Sequence, residues 1–149
     1  MKVGLIISTY NWVEALSSVL ESVKLQSHLP DEVVVCDDGS ISESKNFILT
    51  LQKKFPCKLK HVWQEDEGFR AAAIRNKGIN ELSDNIEYVV VIDGDMMLHN
   101  NFIEDHIRIS EKNCFIQGGR VLISKNKTIK IFKKIGKNFN FNFFSEGLS

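Results

Sequence analysis

The sequence of 149 residues has few cysteines, no net charge and no long hydrophobic run. Its three cysteines are odd in number and lack CxxC spacing, so we expect reduced, buried thiols and a reducing cytoplasm. Nineteen Lys and Arg balance nineteen Asp and Glu, which removes any overall attraction for nucleic acid. The apolar run in MKVGLIIS is too brief for a signal peptide or a spanning helix, so we expect a soluble, cytoplasmic protein.

The charge is distributed unevenly along the chain. Residues 125–149 contain six lysines and a single acid, Glu146, so the first 124 residues are mildly acidic. We therefore divide the chain into an α/β domain, 1–124, and a basic, Phe-rich tail, 125–149. The alternation in FNFNFF is typical of an edge strand and favours the start of an unfinished second part. The alternative is a tail that contacts an anionic membrane at its inner face, where lipid-linked acceptors lie.

Apolar runs and helical periodicities alternate through residues 1–124. They predict strands at 2–7, 32–36, 58–64, 88–92 and 115–123, with helices after Asn11 and at 43–54, 69–82 and 101–112. Asn11 with Glu14, and Asn101 with Glu104, resemble capping boxes. The alternation indicates an α/β fold with a mostly parallel sheet flanked by helices. The fourth strand, apolar on both faces, is expected in the middle of the sheet, and Ala71-Ala72-Ala73 is expected to let the third helix pack closely.

Polar turns follow four of these strands. They are Ser8-Thr9-Tyr10-Asn11, Asp37-Asp38, Glu65-Asp66-Glu67 and Asp93-Gly94-Asp95. In an open parallel sheet, ligands bind at the carboxyl ends of the strands near a switch in strand order, so these turns should share one rim. Two unit charges ~4 Å apart repel by about 4 kcal/mol at an effective dielectric of ~20, which a divalent cation would relieve. Arg70 and Arg75 add the positive charge that suits a diphosphate.

Four segments carry a resemblance to a known family. They are IISTYNW, VVVCDDGS, VWQEDEGFRAAAIRNKGI and VIDGDMMLHNNFIEDH. In this order, at the ends of the predicted strands, they resemble the family 2 glycosyltransferases of the GT-A fold over about residues 3–123. The resemblance implies a nucleotide-diphospho-sugar donor, with UDP as the nucleotide that the family favours, and Mn²⁺ or Mg²⁺ as cofactor. It also implies inverting transfer to a glycan or lipid-linked acceptor, in the branch that builds bacterial cell-surface polysaccharides.

The resemblance also implies roles for individual residues. Thr9 and Tyr10 would pack on the base, Asp37 or Asp38 would accept a hydrogen bond from it, and Arg75 would lie near the nucleotide. Asp93 would face the ribose or a metal-bound water, and Asp95 would ligate the metal. The implied donor-binding set is Thr9, Tyr10, Asn11, Asp37, Asp38, Arg70, Arg75 and Asp93, and the implied metal ligands are Asp95 and Asp93.

The chain departs from the family after the predicted fifth strand. An inverting transferase needs a general base, and none is visible in the 26 residues after Ile123. The fold is therefore expected to be incomplete at its C-terminus, as a fragment, as a truncated reading frame or as a subunit completed by another chain. The alternatives are a non-catalytic nucleotide-sugar-binding fragment and a haloacid-dehalogenase-type phosphatase, whose nucleophile also lies in DxD. A dehydrogenase is disfavoured because no GxGxxG follows the first strand.

Overall fold

The computed structural model describes residues 1–133, and the predicted FNFNFF edge strand lies outside them. The strands are β1 (Val3–Thr9), β2 (Glu32–Asp37), β3 (Lys58–Trp63) and β4 (Tyr88–Asp93). The helices are α1 (Val13–Lys24), α2 (Ser42–Gln52), α3 (Ala71–Asn80), α4 (Phe102–Ile109) and α5 (Lys125–Phe132).

The four strands form one parallel sheet in the order β3-β2-β1-β4. The register pairs Thr9 with Asp37 and Ser8 with Asp93, so the carboxyl ends of β1, β2 and β4 lie level with one another. The chain extends the sheet from β1 to β3 and then returns to place β4 on the other side of β1. The switch in strand order therefore falls between β1 and β4, and the predicted α/β fold with a parallel sheet is confirmed.

Alternate residues of the inner strands bury side chains on opposite faces of the sheet. Leu5 and Ile7 of β1 lie on the face covered by α1, together with Leu16 and Leu20 of that helix. All four are fully buried. Burial of each such side chain contributes about 1.5–3 kcal/mol. This face holds the larger of the two clusters of buried apolar residues and therefore supplies most of the core. Its further members include Val3, Val19, Val23, Val33, Val35, Ile48, Val90, Ile92 and Ile103.

Helix α3 covers the other face through two residues four positions apart. Ile74 and Gly78 are buried, whereas Ala72 and Ala73 of the alanine run are exposed, so the expectation that this run packs on the sheet is wrong. A Cβ at Gly78 would lie 2.1 Å from the Cys36 sulfur, which shows how closely α3 approaches β2. Gly78, rather than the alanines, permits the close packing.

The predicted fifth strand does not form. Residues 115–123 are irregular apart from a single bridge at Ile123, and Phe115 and Leu122 are exposed. A strand requires a neighbour to satisfy its backbone groups, and no described strand pairs with this segment. The apolar composition of the segment predicted a strand that its surroundings do not support.

Strand β4 is at the edge of the described sheet rather than in its middle. Its Val90 and Ile92 are buried, but Val89 and Val91, which point to the other face, are exposed. Helix α3 contacts β1, β2 and β3 on that face, so within residues 1–133 the outer half of the face is left without a covering helix. The expectation of a central fourth strand is therefore wrong for the described residues.

The first part of the predicted tail is helical. Helix α5 packs against α1, Ile131 is buried, and the ring of Phe132 meets the ring of Trp12 edge-on with centroids 6.2 Å apart. The proposed boundary after residue 124 thus separates a helix from the domain on which it packs. Residues 134–149 lie outside the described range, so the tail stays a prediction there.

The cysteines differ in their surroundings. Cys36 is buried, and burial raises the pKa of its thiol to about 12, while burial raises that of the half-buried Cys57 to about 11. Cys114 is exposed, which corrects the expectation of three buried thiols. All three are free, as predicted. In residues 1–133, no helix has both the length and the apolar character needed to span a bilayer.

A charged cluster lies at the amino end of β2, opposite the rim where the polar turns meet. Glu32 is buried, with Lys58 Nζ 3.0 Å from its Oε1 and Lys60 Nζ 2.8 Å from its Oε2. The Ser83 hydroxyl also donates to this carboxylate. Burial opposes ionisation, but the hydrogen bonds from Lys60, Ser83 and Lys58 lower the pKa of Glu32 to about 2.

Candidate active site

A cavity of about 490 Å³ lies at the carboxyl edge of the sheet, where β1 and β4 end. The turns after all four strands contribute to it, together with α3 and one residue from the segment between α4 and α5. The described lining consists of Ser8, Thr9, Tyr10, Trp12, Asp38, Asp66, Gly68, Phe69, Ala71, Arg75, Asp93, Gly94, Asp95 and Arg120. The structure therefore brings the four predicted polar turns to one rim.

Asp93 is fixed at the end of β4 by residues from two other elements. Its Oδ1 accepts hydrogen bonds from Arg75 Nη2 at 2.5 Å and from the Ser8 hydroxyl at 3.0 Å. Arg75 Nη2 also donates to the Ser8 hydroxyl oxygen at 3.1 Å. These contacts engage Oδ1 of Asp93, whereas Oδ2 has no hydrogen-bond partner among the described residues, and Asp93 lines the cavity.

Gly94 keeps the turn after β4 tight against β1. Its N–H donates to the Ser8 carbonyl at 2.7 Å, and a Cβ at this position would lie 2.8 Å from the same oxygen. Real Cβ atoms do not approach a backbone oxygen so closely. A side chain here would therefore push the turn away from β1 and displace the two aspartates that flank it.

Asp95 is exposed, and its side chain makes no hydrogen bond or ion pair with any residue between 1 and 133. Over the same range, no three His, Cys, Asp or Glu side chains are grouped closely enough to hold a metal ion unaided. Mg²⁺ and Mn²⁺ are often held by one or two carboxylates, with water and substrate phosphates completing the shell. The free Asp95 carboxylate and the second oxygen of Asp93 fit such an ion.

The adjacent residues Asp37 and Asp38 have different environments. Asp37 is fully buried, where its Oδ1 accepts from the Ser40 N–H at 2.8 Å and its Oδ2 lies 3.2 Å from His61 Nε2. It does not line the cavity. Its carboxylate is engaged by the turn after β2 and by β3, so the structure does not bring Asp37 to the candidate donor site.

Asp38 does line the cavity. Its Oδ1 accepts from Gln64 Nε2 at 2.5 Å, and its Oδ2 accepts from the Arg70 N–H at 2.8 Å. These two donors hold the carboxylate still, while ionised oxygens retain capacity for a further hydrogen bond. Of the two aspartates predicted to meet the base, Asp38 lines the cavity and Asp37 does not.

The turn after β1 presents aromatic rings at the cavity. Tyr10 and Trp12 are 52% and 46% exposed, and both line it. The Tyr10 hydroxyl donates to Asp66 Oδ2 at 2.9 Å, and this hydrogen bond raises the pKa of Tyr10 above its ordinary value. Thr9 also lines the cavity, so two of the three predicted residues of this turn are in place.

Asn11, the third, points elsewhere. Its side-chain oxygen accepts from the Ile41 N–H at 2.9 Å, and its own N–H donates to the Ser40 hydroxyl at 2.8 Å. It has a positive φ of 45°, and it does not line the cavity. Asn11 instead joins the turn after β1 to the start of α2.

Neither α1 nor α4 has a side-chain cap, so both predicted capping boxes are wrong.

Arg70 also lies outside the lining. Its Nη1 is 2.5 Å from Glu67 Oε2, and its Nη2 donates to the Glu65 carbonyl at 2.5 Å. Its guanidinium is therefore held by the loop that precedes α3, and only its backbone N–H takes part in the site, through Asp38.

Three large side chains of the lining were missed by sequence reasoning: Trp12, Phe69 and Arg120. Trp12 and Phe69 lie within segments that carry the family resemblance, and their aromatic character in polar turns was the available signal. Arg120 follows Gly118-Gly119 in a stretch predicted to be a strand, so its place could be found only from the structure.

A second cavity, of about 350 Å³, adjoins the first. The two share Trp12, Asp95 and Arg120. The rest of its lining is mostly apolar and includes Met96, Leu98, Phe102, Leu122, Ile131 and Phe132.

Solved structures with the same fold contain nucleotide sugars. S. aureus TarS 1–349 in complex with UDP-GlcNAc is 25% identical, with a TM-score of 0.62 over 72% of this chain and 30% of that chain. The mannosyltransferase PcManGT from Pyrobaculum calidifontis in complex with GDP-Man and Mn²⁺ is 26% identical, with a TM-score of 0.53 over 63% of this chain and 27% of that chain. These likenesses confirm the predicted GT-A fold.

Sequence relatives are much longer than this chain. An uncharacterized glycosyltransferase of Rickettsia felis is 31% identical over 115 residues, which are 77% of this chain and 18% of the relative. The chondroitin synthase of Pasteurella multocida (strain Pm70) is 36% identical over 96 residues, which are 62% of this chain and 9% of the relative. The chain thus spans less than a fifth of either protein.

The family model described as Glycosyl transferase family 2 matches residues 5–147. This match covers almost all of the sequence and sets aside the phosphatase alternative. The chain belongs to glycosyl transferase family 2.

Proposed function

We propose that this chain is the donor-binding part of a metal-dependent, inverting glycosyltransferase with a UDP-sugar as donor and a glycan or lipid-linked acceptor. The observation that carries the proposal is the cavity at the switch point, where Asp93, Asp95 and Arg75 meet. The relatives named chondroitin synthase and hyaluronan synthase in Pasteurella multocida support a role in cell-surface polysaccharide synthesis.

The turn after β1 and the end of β2 suit the nucleoside. The exposed rings of Tyr10 and Trp12 offer apolar faces on which a base can stack. Asp38, held by Gln64 and by the Arg70 N–H, can accept a hydrogen bond from an N–H of the base. The likeness to TarS in complex with UDP-GlcNAc supports uridine as that nucleoside.

The turn after β4 suits the diphosphate end of the donor. Asp95, with the second oxygen of Asp93, would hold Mn²⁺ or Mg²⁺, and the likeness to PcManGT in complex with Mn²⁺ supports this choice. When bound, such an ion supplies Lewis-acid stabilisation of the charge that develops on the leaving diphosphate. Arg75 orients Asp93 through the 2.5 Å ion pair.

The acceptor site and the general base are placed outside the described residues in this proposal. The chain spans 21% of a Nostoc relative and 18% of the Rickettsia felis relative, which leaves most of such a protein for these tasks. Completion by another chain, contact of the tail with a membrane and a cytoplasmic location stay predictions.

Substitution Asp95→Ala tests the metal-diphosphate assignment. We expect calorimetric titration with UDP and Mn²⁺ to show binding by the native chain and binding weaker by at least about tenfold in the variant, because a charged ligand of the metal is lost. In EDTA the two proteins should bind UDP equally.

Asp84→Ala is the matched control, because Asp84 is an exposed aspartate outside the cavity. It should bind UDP and Mn²⁺ as the native chain does. Equal affinity of the native chain and Asp95→Ala in Mn²⁺ would contradict the assignment.

A non-catalytic nucleotide-sugar-binding fragment is the second candidate, favoured by the small share of each relative that the chain spans. Both candidates predict that UDP with Mn²⁺ raises the melting temperature, by the equivalent of about 2.7 kcal/mol at a hundred times Kd. Incubation of the purified chain with a radiolabelled UDP-sugar separates them. Hydrolysis or transfer of the label by the chain alone would exclude the binding fragment.

A further inference from the structure

Arg120 is a cationic side chain at the junction of the two cavities, and neither the sequence motifs nor the family match assigns it a role. It comes from the irregular segment between α4 and α5, and it lines both cavities together with Asp95. We propose that Arg120 binds the diphosphate of the nucleotide donor beside the carboxylate of Asp95. The inference rests on the proposed function and deepens it.

The other arginines near the cavity are already engaged. The Nη2 atom of Arg75 lies 2.5 Å from Asp93 Oδ1, and the guanidinium of Arg70 is held by Glu67 and the Glu65 carbonyl. Arg120 is exposed and makes no hydrogen bond or ion pair with any residue of the described chain. Among the described lining residues, it is the cation left for a ligand.

The charge of the cavity calls for such a cation. The described lining carries four aspartates and two arginines, so it is net negative. One divalent ion offsets that charge, but a diphosphate then brings in further negative charge. Arg120 contributes positive charge without weakening the pair of Arg75 with Asp93. An arginine fork also matches the oxygens of a phosphate and can donate two parallel hydrogen bonds to them.

The position of Arg120 favours the diphosphate over the base. Of the proposed base contacts, Tyr10 and Asp38 line the first cavity alone and Trp12 lines both, whereas the proposed metal ligand Asp95 lines both together with Arg120. A diphosphate held at Asp95 therefore lies at the junction that Arg120 occupies. Gly118 and Gly119, which precede it, have no heavy atom within 4 Å of a would-be Cβ, so the described residues do not crowd the backbone that leads to Arg120.

The test measures the affinity of the 149-residue chain for UDP with Mn²⁺ and for uridine, in the native form and in Arg120→Gln. We expect the variant to bind UDP about tenfold or more weakly, because a charge-assisted contact is lost, and to bind uridine as the native chain does. The affinity for UDP should also fall more steeply with added NaCl in the native chain than in Arg120→Gln. Arg120→Lys should recover part of the lost affinity, since it restores the charge without the fork.

Arg108→Gln is the matched control, because Arg108 is an exposed arginine of α4 that pairs with Asp105 and lies outside both cavities. It should bind UDP as the native chain does. Native-like affinity of Arg120→Gln for UDP, or an equal loss for UDP and uridine, would overturn the role of Arg120 while leaving donor binding intact. Failure of the native chain to bind UDP with Mn²⁺ would overturn the proposed function and this inference with it.

Discussion

Because α3 lies so close to β2, we expect a glycine-to-alanine substitution in this helix to destabilise the protein. Replacing a helical glycine by alanine normally stabilises a helix by about 1 kcal/mol. At Gly78, however, the new Cβ would lie 2.1 Å from the Cys36 sulfur, more than an ångström short of ordinary contact. Overpacking of a core typically costs about 1–3 kcal/mol, and this contact is at the severe end. We therefore expect Gly78→Ala to lower the free energy of unfolding by about 1–2 kcal/mol, net of the helix gain.

Urea unfolding of four proteins measures the effect: the native chain, Gly78→Ala, Cys36→Ala and the double variant. Cys36→Ala removes the sulfur that the new methyl would meet. The double variant should therefore be at least as stable as Cys36→Ala, which gives a coupling energy of about 1 kcal/mol or more. Asn76→Ala, at an exposed position in the middle of α3, is the control for helix propensity and should raise the free energy of unfolding by about 0.3–0.7 kcal/mol.

The reasoning fails if Gly78→Ala is as stable as the native chain or more stable, or if the two substitutions are additive. Either result would mean that α3 can move away from β2 without loss. Arg75 belongs to α3, so the same displacement should lengthen the contact between Arg75 and Asp93. The affinity for UDP should therefore fall as well, which provides a second measurement of the same displacement.

Two further predictions concern opposite ends of the sheet. The pKa of Glu32, lowered from 4.5 to about 2, corresponds to on the order of 3 kcal/mol of stability that is present above about pH 4.5 and lost as the pH falls toward 2. Glu32→Gln should therefore be less stable than the native chain at pH 7, and urea unfolding at pH 7 and pH 3 should show the difference shrinking; a difference independent of pH would contradict the ion pairs. Gly94→Ala should weaken the binding of UDP with Mn²⁺, because its Cβ would lie 2.8 Å from the Ser8 carbonyl; calorimetric affinity equal to the native value would show that the turn does not need glycine.

The elements whose boundaries were predicted well are those that local pattern determines. Apolar β-branched runs located β1, β2, β3 and β4 within a few residues, and helical spacing located α1 and α2. The stretch 115–123 has the same local character, yet it is irregular, since a strand also depends on a neighbour far away in sequence. Local pattern cannot supply that information, and the edge position of β4 was missed for the same reason.

The candidate site shows the same division. Motif and strand-end position predicted Asp38, Asp93 and Asp95 in the cavity, and the structure places them there. They could not separate Asp37 from Asp38, because that difference depends on a contact between Asp37 and His61 across the register of β2 and β3. The engagement of Arg70 by its own loop likewise depends on a backbone path that composition does not determine.

The register that sets Ser8 beside Asp93 has a consequence for how the protein folds. The Ser8–Asp93 hydrogen bond joins residues 85 apart in the chain, and the Arg75–Ser8 bond joins residues 67 apart. Contacts of such separation form only after long loops have closed, and their entropy must be offset by the rest of the sheet. No short peptide cut from the chain contains both halves of this arrangement. The site is therefore formed once β4 has joined β1 in the sheet, and no single motif carries it alone.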